Sequence, residues 1–216
     1  VVATRAALIP RRDLADVGLA PLTSMFWFGP GDRGNFDDYR PAVHDSDGLE
    51  MHTGAGQALW RTLGAHKTLQ IASFVDNNPR GFGLVQRSRD FDHYQDPEAL
   101  YHLRPSAWIE PEQNWGEGEV RLVEIPVENE FNDNIVSYWL PSDTIPGGER
   151  TEFRYRQLCG SAAQQPAVGQ GPAGAQRPVH QFRSRAQRHR RFRPVAVHRC
   201  AAAIAGYHLG GTDRPC

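Results

Sequence analysis

Gly118-Glu119-Val120-Arg121-Leu122-Val123-Glu124-Ile125-Pro126-Val127 decides the fold class. Val120, Leu122, Glu124 and Pro126 alternate with Glu119, Arg121, Val123 and Ile125, the period-two rhythm of a strand with one buried face or two. Working outward, residues 135–140 and 151–156 read as two more strands, with Pro146-Gly147-Gly148 as the turn between them. Upstream, residues 68–75 and 82–86 read as strands on either side of the turn Asp76-Asn77-Asn78-Pro79-Arg80-Gly81. Residues 1–9 are rich in branched apolar side chains and read as a strand already under way. Residues 22–28 form an apolar, aromatic stretch that stops at Gly29-Pro30, and the polar, glycine-rich residues 30–39 read as a loop. Only residues 96–102 suggest a short helix. The expected class is mostly β, a sandwich or part of a large one.

Charge divides the chain. The 216 residues carry a net charge of -1, but residues 157–216 hold nine arginines and one acid, Asp213. Residues 1–156 hold fifteen basic and twenty-four acidic groups. All five tryptophans and the single lysine, Lys67, lie in the acidic body, whereas Cys159, Cys200 and Cys216 all lie beyond it. A body without cysteine fits any redox compartment. No apolar run is long enough for a membrane helix, and no charged-then-apolar leader is visible. Residues 157–176 are mostly Ala, Gln, Gly and Pro, and residues 181–193 are an Arg/His/Gln run. Such composition buries too little to offset the entropy of ordering, so a disordered or irregular C-terminal tail is expected. The regular pattern breaks after Arg156, and the segment beyond is rich in residues with GC-rich codons. We read 157–216 as frame-shifted sequence rather than a domain, with a basic arm as the rival.

Several side chains carry chemistry. Asp45 and Asp47 lie in His44-Asp45-Ser46-Asp47-Gly48, and Asp133 lies in Glu130-Phe131-Asn132-Asp133-Asn134-Ile135. Paired carboxylates on strand-edge loops suit glycoside hydrolysis, although Asp in such clusters is more often a turn former. Trp115, flanked by Asn114 and Gly116, is the tryptophan expected to be exposed to a sugar ring, and Trp139, within an apolar run, is expected in the core. Arg80, Arg87, Arg89 and Arg104 can hold a carboxylate or bond a sugar hydroxyl, and equally can be solvated or ion-paired. Arg104 precedes the constrained Pro105-Ser106-Ala107-Trp108, which favours a supporting role. His44, His52, His66, His93 and His102 show no paired metal-ligand spacing, and Thr53-Gly54-Ala55-Gly56 lacks the features of a phosphate loop. Neither a metal nor a cofactor is expected.

Taken together, Ala20-Pro21-Leu22-Thr23-Ser24-Met25-Phe26, His44-Asp45-Ser46-Asp47-Gly48-Leu49, Asn78-Pro79-Arg80-Gly81-Phe82-Gly83-Leu84, Leu103-Arg104-Pro105-Ser106-Ala107-Trp108, Leu122-Val123-Glu124-Ile125-Pro126 and Asn132-Asp133-Asn134-Ile135-Val136 resemble the G/D (MdoG) family of osmoregulated periplasmic glucan biosynthesis proteins. The resemblance covers about residues 1–156. Val75-Asp76-Asn77-Asn78 and Asp90-Phe91-Asp92-His93-Tyr94-Gln95-Asp96 look closer to D-type members. It implies the later half of a catalytic sandwich of the galactose-mutarotase-like supersandwich type, located in the periplasm. It further implies action on β-1,2-glucan, as an inverting hydrolase or transglycosylase. On the matching positions Asp133 resembles the general acid and Asp45 the general base, and Tyr101 lies where the family has a tyrosine near the proton path. Trp115, Arg87 and Arg104 are then candidates for binding the glucan or supporting the proton path. A non-catalytic, carbohydrate-binding scaffold for glucan synthesis is the alternative. Nucleic-acid binding through the arginine run ranks last, because no folded platform accompanies it. As a fragment with an unmatched tail, the chain by itself is expected to be inactive.

Overall fold

The computed structural model describes residues 1–34 and 37–161. In chain order its strands are β1 Val2–Leu8, β2 Leu19–Ser24, β3 Phe26–Phe28, β4 Val43–His44, β5 Gly48–His52, β6 Ala58–Thr62, β7 Gln70–Asn77, β8 Gly81–Val85, β9 Ser106–Pro111, β10 Glu117–Glu124, β11 Ile135–Pro141 and β12 Thr151–Gly160. A four-residue helix α1, Phe91–Tyr94, and a 3-10 turn, Tyr101–Leu103, lie between β8 and β9.

The stretch that sets the fold class becomes β10. Gly118, Val120, Leu122 and Glu124 are buried, while Glu119, Arg121 and Val123 stay partly open, so one face is buried rather than two. Val120 stands opposite Trp139 of β11 and Phe74 of β7, and Leu122 stands opposite Ser137 and Ala72. These strands form a four-stranded sheet of order β2-β11-β10-β7. A six-stranded sheet runs β1-β12-β9-β8-β5-β6, and β3 and β4 make a short ribbon. Every strand pairing is antiparallel.

The two larger sheets share one core, as a sandwich requires. Leu22, Val120, Leu122, Ile135 and Trp139 from the smaller sheet pack with Leu49, Met51, Phe82, Leu84 and Ile109 from the larger. Each such side chain contributes about 1.5–3 kcal/mol through burial. A second cluster of Met25, Phe28, Ala42, Val43, Tyr94 and Tyr101 lies around the β3–β4 ribbon.

Several local expectations change. The turn between β7 and β8 carries the chain from the four-stranded sheet to the six-stranded one. Asn78, at φ 56°, donates its amide to Gly116 O beside β10, and Arg80 donates to His52 O at the end of β5. The connection from β11 to β12 also changes sheets. The helix expected at residues 96–102 is absent. The carboxylate of Asp96 caps the amides of Glu98 and Ala99, and Gln95 and Leu100 both have positive φ, which stops helical continuation. Strands β5, β6 and β9 had no clear sequence signal. The expected break at Arg156 falls inside β12, which runs to Gly160 and pairs Leu158 with Trp108 and Cys159 with Ala107. The reading of the remaining tail as irregular and frame-shifted lies outside the described residues.

Candidate functional site

Two loops meet at one bend of the chain. β2 ends at Ser24 and β3 begins at Phe26, so Met25 interrupts what would be a single strand. In the loop from β4 to β5, the amide of Asp45 donates to Met25 O at 2.8 Å. Ser24 Oγ donates to Ser46 Oγ at 2.8 Å in the same loop. In the loop from β10 to β11, the amide of Asn134 donates to Ser24 O. The Asn134 side chain accepts from the amide of Phe26 at 2.8 Å and donates to Phe26 O and Ile125 O. Asn134 is buried, and this two-sided clamp fixes its neighbour Asp133 at the surface. Three consecutive residues thereby hold the loops that carry both candidate carboxylates.

Asp45 lies deep in this junction, with its side chain 16% exposed and Arg104 Nε 3.4 Å from Oδ1, an ion-pair contact. Burial pushes its carboxyl up to about 6; Arg104 opposes the rise, while the charges of Asp133 and Glu130 add to it. Arg104 also donates from Nε to Ala99 O and lies over the Tyr101 ring, 5.5 Å from its centroid. Tyr101 is buried, and its hydroxyl donates to Glu130 Oε2 at 2.6 Å. Burial, then that bond, keeps the phenol protonated well above its ordinary range. Glu130 in turn meets Arg40 Nη1 at 2.8 Å, and the same guanidinium binds Asp38 and Asp96, each at 2.7 Å. The geometry thus joins Asp45, Tyr101 and Arg104 and couples Asp133 to them through its charge. It adds Glu130 and Arg40, which the sequence reading did not single out. Their signals were local: Glu130 lies three residues before Asp133, and Arg40 lies in Tyr39-Arg40-Pro41, one of the stretches that resemble the family.

One expected binding residue lies elsewhere. Trp115 is a core residue, 8% exposed, with its ring 6.3 Å from Trp139 and 6.1 Å from Tyr155. Its polar neighbours misled: Gly116 at φ 74° and the bond from its amide to Asn78 Oδ1 fold the turn so that the indole enters the sandwich. The Arg87 guanidinium lies 3.3 Å from the Trp60 ring centroid and 4.0 Å from Glu50, while its backbone amide donates to Asp47, two residues after Asp45. Trp139, expected in the core, is fully buried. Arg89 supports the backbone, donating to Arg104 O and Ser106 Oγ. Among the described residues, Tyr39, next to Arg40 in the chain, is 70% exposed, and Phe131, two residues before Asp133, is 84% exposed.

Asp47 plays a different part from Asp45. Its Oδ2 accepts the amides of Arg87 and Ser88 at 2.5 and 2.9 Å. His44, Asp47 and His93, unpaired in sequence spacing, each place a ligand-type atom within 4.8 Å of the others. A shallow cavity of about 350 Å³ opens beside Asp37, Asp38, Tyr39, Arg40 and Asp96, and neither Asp45 nor Asp133 lines it. No helix among the described residues is long and apolar enough to cross a membrane.

Fold and site together define an antiparallel β-sandwich with an arginine-bridged carboxylate cluster at one junction of its loops. The chain belongs to the family described as "Periplasmic glucan biosynthesis protein, MdoG", whose model matches residues 1–199. That match crosses Arg156, where the resemblance was expected to end. Relatives named "Glucans biosynthesis protein G" include one from Shewanella frigidimarina (strain NCIMB 400), 54% identical over 166 residues, covering 77% of this chain and 29% of the relative. Another, from Shewanella baltica (strain OS195), is 50% identical over 184 residues, covering 85% of this chain and 32% of the relative. Both carry the G name, whereas the motifs leaned towards the D-type. The chain spans about a third of the length of these curated relatives.

Proposed function

We propose that this chain forms part of the catalytic sandwich of a periplasmic glucan-processing protein that acts on β-1,2-glucan as an inverting hydrolase or transglycosylase. The observation that carries the reading is Asp45: a largely enclosed carboxyl, 16% exposed and raised to about 6, that feels the charge of the exposed Asp133. A group titrating near 6 is ionised at neutral pH and basic enough to accept a proton. In the inverting scheme Asp133 protonates the leaving glycosidic oxygen. Water, or an acceptor hydroxyl in transglycosylation, attacks the anomeric carbon from the opposite face and gives its proton towards Asp45. The buried hydroxyl of Tyr101 and the carboxylate of Glu130 supply adjoining groups for that proton path, and Arg104 holds Asp45 in place. Tyr39 and Phe131 offer the open flat faces that Trp115 does not.

The test is to replace Asp45 and Asp133 separately by Asn in the full-length protein and to measure turnover of β-1,2-glucan. Each variant is expected to lose at least about 10²-fold in rate with an unchanged circular dichroism spectrum. Wild-type turnover in both would overturn the assignment and leave the non-catalytic, carbohydrate-binding scaffold. The 216-residue chain alone is expected to show no turnover, since it spans about a third of its relatives.

A further inference from the structure

We propose that His44, Asp47 and His93 bind a divalent cation of the zinc type, which pins the loop carrying Asp45. This inference does not depend on the glycosidase reading. It begins with a proton assignment. Gln86 Nε2 donates to His44 O and Tyr101 O, at 3.1 and 3.2 Å. Its Oε1 is therefore the acceptor facing His44 Nδ1 at 3.2 Å, and Nδ1 carries the imidazole proton. The bare lone pair of His44 Nε2 then faces Asp47 Oδ1 at 3.6 Å. Two acceptors confront each other in a place where His44 is 1% exposed.

Such a pair repels unless something positive lies between. A second proton on His44 would put an imidazolium where the ring is enclosed by Phe26, stacked at 5.0 Å, and Tyr94, edge-on at 5.1 Å. A metal ion satisfies both acceptors and recruits a third. His93 stands 6.0 Å from His44, ring to ring, and its Nε2 is buried with no hydrogen-bond partner among the described residues. The outer contacts are those a metal site uses to orient its ligands. Gln86 fixes the His44 tautomer, and two backbone amides occupy the far oxygen of Asp47. Two imidazoles and one carboxylate suit zinc or a neighbouring transition metal, whereas calcium and magnesium prefer oxygen sets. Metal–ligand bonds of about 2.0–2.2 Å require the three groups to draw together slightly from their present 4.8 Å spread. Asp45 lies between His44 and Asp47 in the chain, so an ion bound to both clamps its backbone on either side.

The test uses the 216-residue chain without a histidine tag, stripped with chelator and alkylated at Cys159, Cys200 and Cys216. Co²⁺ and Zn²⁺ are titrated into wild type, Asp47→Asn and His93→Gln. The wild type is expected to bind one more equivalent of Co²⁺ than either variant, with a visible d–d band that both variants lack. Zn²⁺ is expected to raise the wild-type melting temperature by at least about 4 °C and to leave the variants unmoved. Equal stoichiometry in all three proteins, or no zinc-dependent change in wild-type melting, would overturn the proposal. The wild-type melt decides the matter even if a variant fails to fold.

Discussion

Asp45 illustrates how one residue can be costly to the fold. Its carboxyl titrates higher in the folded chain, at about 6, than in an unfolded one, near 3.8, chiefly because it is buried. Between those values the folded state holds the proton more tightly, so stability falls as pH rises from about 4 to 6. Above pH 6 the ionised group persists at a cost of about 1–3 kcal/mol. In metal-free protein Asp45→Asn is therefore expected to be more stable than wild type at pH 7, by roughly that amount. The gap should close as pH drops below about 4. Urea melts at pH 7, 5 and 4 read this directly, and a pH-independent gap would count against the burial argument. The aspartate was legible in the sequence as part of His44-Asp45-Ser46-Asp47-Gly48. Its burial was not, because that depends on Arg104 and Asn134, which lie 59 and 89 positions further along the numbering.

At the scale of elements, the loops do more than the strands to build the site. The β9–β10 connection, tied to the β7–β8 turn through Gly116 and Asn78, and the β10–β11 connection decide which side chains enter the core and which face solvent. Trp115 and Phe131 show the contrast, the first 8% and the second 84% exposed. Trp115→Ala is expected to cost about 3–5 kcal/mol of stability, because it empties the space beside Trp139 and Tyr155. Phe131→Ala is expected to leave the melting temperature nearly unchanged and to weaken glucan binding in the full-length protein. Paired denaturation and binding measurements separate the two outcomes. Gly48 serves the same end at the start of β5: a Cβ there would lie 2.4 Å from the Trp60 ring and 2.7 Å from Arg61 O. Only glycine lets β6 close against the start of β5, just after the loop that carries Asp45.

Across the whole molecule, Arg40 ties distant parts of the chain together. Its guanidinium, 12% exposed, joins Asp38, Asp96 and Glu130 from three loops. The hydrogen bond from Arg40 holds Asp38 below the ordinary carboxyl range. Burial would raise Asp96, but Arg40 and the amides of Ala99 and Glu98 more than offset it. With both folded values depressed, this stabilisation is present above about pH 4 and lost as pH falls further. Arg40→Met leaves three carboxylates without their shared partner, and a loss of about 3–5 kcal/mol at pH 7 is expected. The deficit should shrink under acid, as calorimetry at pH 7 and pH 3 can show. By itself the sequence determined the mostly-β class, the existence of strand β10, the buried Trp139 and the motifs that mark the MdoG family. Those rest on alternation and local residue type, which are written within a few positions. Only the tertiary structure decided that the β7–β8 turn changes sheets, that Trp115 is core, and that His44, Asp47 and His93 meet. It alone gathers Asp45, Tyr101, Glu130 and Arg104 around the bend at Met25, because contacts between residues dozens of positions apart exist only once the two sheets have closed on their common core.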